Sequence, residues 1–151
     1  MVRAAAEADG PAIVALVRSA PRMNPTGLRW RNFVVAERGG RLVGAAQLRP
    51  AGAGAGELGS LVVEPAERGR GIAGRLIAAA LARADGRVLV VTAARSARHY
   101  APWGFRPVAP WRAPAPVAVN WCIGQAATVL RVAQGGRPRR MVVLEARGPF
   151  D

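Results

Sequence analysis

The chain has no lysine, one cysteine and one histidine, and only nine acidic residues against 22 arginines. Each shortage removes a class of chemistry. A Walker-type phosphate loop needs a lysine that reaches the terminal phosphates, so kinase and nucleotide-triphosphatase readings fall away. One cysteine cannot make an intrachain disulfide, and one cysteine with one histidine is too small a set of soft or imidazole ligands for a metal centre, so no metal is expected. The first residues include Arg3, Glu7 and Asp9 with no long apolar run before a cleavage site. They do not read as a signal peptide, and the cytoplasm is the expected location. The longest uncharged run, Ala113 to Leu130, reaches spanning length but holds Pro114, Pro116, Asn120, Gly124 and Gln125. Hydrocarbon penalises those residues, so the run reads as a loop leading into an amphipathic helix near Ala126 to Ala133, and no membrane partner is expected.

What is present fits one folded unit. A chain of 151 residues with 51% apolar side chains is long enough for a single core, so one domain over residues 1–151 is expected. The arginine excess, beside abundant alanine, glycine and proline, matches the residue usage of GC-rich coding DNA. Codon usage does not explain the shortage of acids, which leaves a net charge of +13 and a surface attractive to anions.

Periodicity sets out the elements. Met1 to Ala5 suits a short strand, and Asp9 or Gly10 then caps a helix with Pro11 in its first turn and Ile13, Leu16 and Val17 on one face. Phe33 to Glu37 and Leu42 to Leu48 read as a hairpin turning on Gly39-Gly40, which can take the positive φ of a tight turn. The alanine and glycine run from Ala51 to Gly56 reads as a flexible loop before a strand from Glu57 to Glu64. An apolar stripe predicts a helix from Ile72 to Ala84, stopped by Gly86. Strands at Val88 to Val91, Phe105 to Val108 and Met141 to Glu145, with a short helix at Ala94 to Ala101, complete the order β-α-β-β-β-α-β-α-β-α-β. That order predicts an α+β fold: a mixed, mostly antiparallel sheet of six to seven strands flanked by helices.

The most informative stretch joins the strand from Glu57 to Glu64 to the next helix: Glu64-Pro-Ala-Glu-Arg68-Gly69-Arg70-Gly71-Ile72-Ala73-Gly74. Closely spaced glycines at a helix start let a pyrophosphate approach backbone N–H groups that have no intrahelical partner and lie at the positive end of the helix dipole. Gly69 to Gly74 also matches the dinucleotide fingerprint G-x-G-x-x-G. There, however, the strand runs almost directly into the first glycine, whereas five residues intervene here. The acidic residue expected about twenty positions on would fall within Val88 to Thr92, which is uncharged.

Arg68-x-x-Gly71-x-Ala73 resembles the (Gln/Arg)-x-x-Gly-x-(Gly/Ala) signature of the GNAT superfamily of acyl-CoA-dependent N-acyltransferases. Downstream, Tyr100-Ala-Pro-Trp-Gly104-Phe105 resembles the same family's Tyr-x-x-x-Gly-Phe, at the expected distance. The likeness runs from the first strand to about residue 108, leaving a C-terminal extension over 109–151. It implies acetyl-CoA as co-substrate and transfer of its acetyl group to a primary amine of a small molecule or peptide by direct attack. It further implies that Arg68, Gly69, Arg70, Gly71, Ile72, Ala73 and Gly74 hold the diphosphate while the main chain of Leu61, Val62 and Val63 binds the acyl oxygen and pantetheine. Tyr100 aligns with the tyrosine that protonates the departing thiolate, a role open to a phenol that is neutral at pH 7. Glu57 stands eleven positions before Arg68, the spacing of the base in the histone-acetylating branch. His99 replaces an aromatic position of the motif, so a packing role is expected of it.

The family pattern places the acceptor between Arg22 to Arg31 and Pro107 to Trp121, which contain Arg29, Trp30, Arg31, Trp111, Arg112 and Trp121. Arginine with tryptophan suits an amine that also bears a carboxylate or phosphate. C-terminal edge strands that pair two subunits into a homodimer are a further implication of the resemblance. Two alternatives stand beside it. One is a Rossmann-type dinucleotide binder; the other is a non-catalytic basic nucleic-acid-binding module, for which +13 is the warrant although nucleic acid is the less favoured partner.

Overall fold

The computed structural model describes residues 1–21 and 23–148. Among them, seven strands and three α-helices follow the expected order: β1 (Val2–Ala4), α1 (Gly10–Ser19), β2 (Phe33–Arg38), β3 (Arg41–Gly52), β4 (Ala55–Val63), α2 (Ile72–Leu81), β5 (Arg87–Ala93), β6 (Arg106–Val108), α3 (Ala115–Ala133) and β7 (Met141–Arg147). The short helix expected after β5 is a 3-10 segment, Ala94–Trp103. The strands lie in the sheet order β1-β2-β3-β4-β5-β7-β6. The pairs β1–β2, β2–β3, β5–β7 and β6–β7 are antiparallel, whereas β4 and β5 run parallel over Ala55–Arg87, Gly56–Val88 and Glu57–Leu89. This mixed α+β sheet is the one the sequence predicts. It also removes the Rossmann alternative, which requires a largely parallel sheet.

The chain divides into two compact units, one of Met1–Arg49 with Leu58–Ala84 and the other of Pro50–Glu57 with the chain from Asp85 onward. In the first, Arg3 ties the start of α1 to β2. It donates to Asp9 at 2.7 Å and to Glu37 at 3.0 Å, and Asp9 also accepts the Ala6 N–H at 2.7 Å. The Arg3 hydrogen bond is the main reason the Asp9 carboxyl lies below its ordinary pKa. The face Ile13, Leu16 and Val17 then packs on Phe33, Val35, Ala45 and Val62, each full burial contributing roughly 1.5–3 kcal/mol. The β2–β3 turn places Gly39 and Gly40 at φ of 57° and 74°, as expected. The α2 helix ends at Leu81 rather than Ala84, because Arg83 and Ala84 close tighter bonds to Ala80 and Leu81 and the Arg83 guanidinium reaches the carbonyls of Phe33 and Arg31. Within β4, Ser60 takes φ of 48°, a region that costs a residue bearing a Cβ on the order of 1 kcal/mol. Its hydroxyl donates to Gln47, which is buried and itself donates to the Gly27 carbonyl at 2.8 Å.

The second unit corrects two sequence readings. Ala51 to Gly56 is no flexible loop. The β3 strand continues to Gly52, the chain reverses at Ala53-Gly54, and β4 begins at Ala55. Ala51 and Ala55 are buried against Leu89, Val117 and Val143. The alternation of alanine and glycine is a strand period of two written in small residues. The uncharged run after Ala113 is likewise almost all helix: α3 spans 19 residues. Pro116 falls in its first turn, where an N–H has no helical acceptor to lose. Gly124 lets α3 lie close on β7, where an added Cβ would stand 3.1 Å from the Met141 side chain. No helix among the described residues is long and apolar enough to cross a membrane.

On β7, Glu145 accepts hydrogen bonds from Arg87 and Arg147, each at 2.7 Å, and Arg87 is the main cause of its lowered pKa. A lowered carboxyl pKa stabilises the fold above the ordinary carboxylate range, and that contribution is lost as pH falls through the lowered value. Glu145→Gln should therefore cost about 1 kcal/mol in urea unfolding at neutral pH. The gap from the parent chain should shrink steadily in acid; a gap equal at pH 3 and pH 7 would refute this account.

Candidate functional site

The stretch after β4 folds as a strand, a turn and an open helix start. Pro65–Glu67 forms one 3-10 turn, Gly69 follows with φ of 75°, and Gly71 with φ of 71° is the residue from which α2 departs. No side chain caps this helix, and its first backbone bond runs from the Arg75 N–H to the Gly71 carbonyl at 3.2 Å. The N–H groups of Ile72, Ala73 and Gly74 therefore precede the helical ladder and sit at the positive end of the dipole. A Cβ built on Gly69 or Gly71 would meet nothing within 4 Å, so the space over the turn is open. The Ile72 side chain anchors the helix in the core, while Arg68, Gly69, Arg70, Gly71 and Ala73 are exposed.

Side chains hold the turn in shape. Arg68 donates to the Val63 carbonyl at 3.2 Å. Glu67 accepts from Arg38 at 2.8 Å and lies 3.5 Å from Arg70, and Arg41 pairs with Glu64. Beside the turn, a cavity of about 280 Å³ is lined by Arg38, Arg70 and Arg75 together with Glu37. Of the strand residues proposed to bind through their main chain, Val62 is core, and Leu61 and Val63 are half-buried.

In the second unit, Glu57 is 4% exposed. The Asn120 side-chain amide, from α3, donates to both of its carboxylate oxygens at 2.9 and 3.0 Å. The sequence offered no sign of Asn120, which stands 63 positions away. Tyr100 is buried, with its ring edge-to-face on Phe105 at 5.7 Å. Burial raises its phenol pKa and a hydrogen bond with Thr92 partly opposes that, so the hydroxyl keeps its proton through neutral pH. The two aromatic ends of the Tyr-x-x-x-Gly-Phe motif thus pack on each other. His99, expected to pack, is instead exposed.

The candidate acceptor residues divide. Arg29 is exposed; Trp30 packs on the core of the first unit with the Arg31 guanidinium 4.7 Å from its ring centre. Trp111 is 83% exposed, and Arg112 beside it is exposed too. Trp121 is a structural residue, donating its indole N–H to the Met141 carbonyl at 3.0 Å and packing on the core of the second unit. Arg22 lies outside the described residues. Among the described residues no group of three or more histidine, cysteine or acidic side chains could hold a metal ion.

A family model described as an acetyltransferase (GNAT) domain matches residues 29–107, just over half of the chain. No relative is found among curated proteins. Among solved structures, the chain is similar to N-acetylglutamate synthase from Neisseria gonorrhoeae, complexed with coenzyme A and N-acetyl-glutamate. The identity is 22%, the TM-score 0.76, and the match covers 97% of this chain but 34% of the synthase, so the chain spans about a third of that protein's length. It is similar over almost all of both chains, 98% and 99%, to Rv2747 from Mycobacterium tuberculosis in complex with CoA, with 26% identity and a TM-score of 0.73. A ribosomal-protein-alanine N-acetyltransferase from Brucella melitensis is 21% identical over 98% of this chain and 99% of its own, with a TM-score of 0.61.

The helix start depends on a conformation that only glycine adopts freely. Gly71→Ala should cost about 1–2 kcal/mol in equilibrium unfolding, and Gly71→Asn less, because asparagine tolerates the left-handed region. Equal stability of the alanine variant and the parent would show that Gly71 does not hold that conformation.

Proposed function

The chain belongs to the GNAT acetyltransferase family, and we propose that it moves the acetyl group of acetyl-CoA to the primary amine of a small molecule or peptide that also carries a carboxylate or phosphate. The observation that carries this reading is the uncapped start of α2 under open space, with Gly69 and Gly71 at positive φ and Arg68, Gly71 and Ala73 in the family positions. Those N–H groups suit a diphosphate, and the arginine surface of a chain with net charge +13 adds to the attraction.

The bound thioester supplies an activated acetyl carbon and a thiolate leaving group. The residues of this chain supply the rest. Main-chain N–H groups of Leu61 to Val63 are the candidates for holding the carbonyl oxygen as negative charge develops on it. Glu57, a buried carboxylate fixed by Asn120, accepts the proton that the amine loses on attack. As the new C–N bond forms and the C–S bond breaks, Tyr100 delivers its phenolic proton to the sulfur. Asn120 is a positioning residue in this scheme: it occupies both carboxylate oxygens from one side and so limits how the carboxylate can turn. For the acceptor, Arg29 and the pair Trp111 and Arg112 offer exposed cationic and aromatic surface. The N-acetyl-glutamate held by the Neisseria synthase, a molecule with two carboxylates, supports that class.

Ligand-induced stabilisation tests the cofactor. At 100-fold over its dissociation constant a ligand adds about 2.7 kcal/mol, which for this size is a Tm rise of roughly 5–10 °C. Acetyl-CoA should give that rise, while NAD and duplex DNA should not; the reverse pattern sinks the proposal. Tyr100→Phe should keep the rise yet lower kcat for CoA release about 100-fold. In an amine panel, amino acids and acidic peptides should outrun polyamines, and the opposite ranking overturns the acceptor class alone.

A further inference from the structure

Helix α3 is amphipathic the wrong way round for a helix on the surface of a single copy. Its polar side chains point inward: Asn120 to Glu57, Gln125 accepting the Met141 N–H at 3.0 Å, and Thr128 donating to the Arg139 carbonyl at 2.8 Å. Its outward face carries Ala115, Val119, Cys122, Ala126, Val129 and Ala133, all exposed. Beside them Ile123 and Leu130 are 54% and 60% open to solvent. A chain with 22 arginines places none on this helix before Arg131. Single exposed apolar residues need no explanation, but a continuous stripe of them marks an interaction surface.

We propose that this face pairs antiparallel with α3 of a second copy across a two-fold axis. The six seam positions are spaced four, three, four, three and four residues apart, the a/d spacing by which helices interlock along a seam. The pattern is also a palindrome in side-chain size. Antiparallel pairing about the middle of the helix sets Ala115 on Ala133, Val119 on Val129, and Cys122 on Ala126 of the other copy, so both ends of the seam match. A two-fold interface requires such self-complementarity. The absence of charge along the seam lets two chains of net charge +13 meet there without opposing arginines face to face. Strand pairing is the poorer route, because the edge strands β1 and β6 each have three residues and β6 contains Pro107, which has no N–H to donate. Four aliphatic side chains at 54–70% exposure, with the small residues between them, supply the apolar centre of an interface. This inference does not depend on the catalytic reading.

Size-exclusion chromatography with light scattering tests it on the full chain. The parent should show twice the 15.8 kDa chain mass at micromolar concentration. Val119→Arg and Val129→Glu are exposed-site changes that should each leave a folded chain, by circular dichroism, at the single-chain mass, because each buries an unpaired charge in the seam. The double variant should return to the dimer mass, since antiparallel pairing sets each new cation on a new anion, whereas parallel pairing would set like on like. A parent that stays at the single-chain mass, single variants that remain dimeric, or a double variant that stays monomeric overturns the proposal. So does a monomeric parent that co-sediments with phosphatidylglycerol vesicles, which would give the face to a lipid surface.

Discussion

The start of α2 is the constraint from which the rest follows. A helix that begins without a capping side chain leaves backbone donors to be satisfied from outside, and two glycines at positive φ keep the approach to those donors clear. The strand before it must end in register and the turn between them must be rigid, which is what Arg68 on the Val63 carbonyl and Glu67 under Arg38 accomplish. The buried face of α2, from Ile72 to Leu81, fixes the direction in which those donors point. Core packing and the open backbone donors are therefore two ends of the same ten residues.

The parts of the site that could be read from the sequence are those built from neighbours along the chain. The glycine spacing of the cradle, the Tyr100 to Phe105 pair and the hairpin at Gly39-Gly40 are local, so residue order alone carries their geometry. Asn120 could not be found that way, because its hydrogen bonds to Glu57 span 63 positions and depend on how α3 lies over the strands. The same contact decides the state of Glu57. A glutamate near a strand end reads as solvated, yet a helix placed above it turns it into a buried, hydrogen-bonded carboxylate.

The two misread segments share a physical reason. Alanine and glycine at Ala51 to Gly56 lack the branched side chains that announce a strand, but small residues are what a tightly covered strand can accommodate, and Ala51 and Ala55 are buried. Pro114 and Pro116 look like breakers, though at the first turn of a helix a proline loses nothing. In both cases composition suggested disorder where position supplied order. The converse holds for Trp121, read as a candidate for the acceptor and bound instead to the backbone of β7.

The inversion of α3 follows from what lies beneath it. The surface it covers offers a carboxylate, a strand-end N–H at Met141 and the carbonyl of Arg139. Covering those groups with leucine or valine would remove these hydrogen bonds, and a buried polar group that loses its hydrogen bond costs about 1–3 kcal/mol. Asparagine, glutamine and threonine satisfy them, so the inward face of the helix is committed to polar residues except at Val117 and Trp121. With polarity used inside, nothing in the packing of one copy calls for apolar residues outside, where arginine or glutamate would favour solubility. An outward stripe of valine, isoleucine and leucine in so arginine-rich a chain therefore needs a cause beyond the single copy, and a self-matching seam provides one.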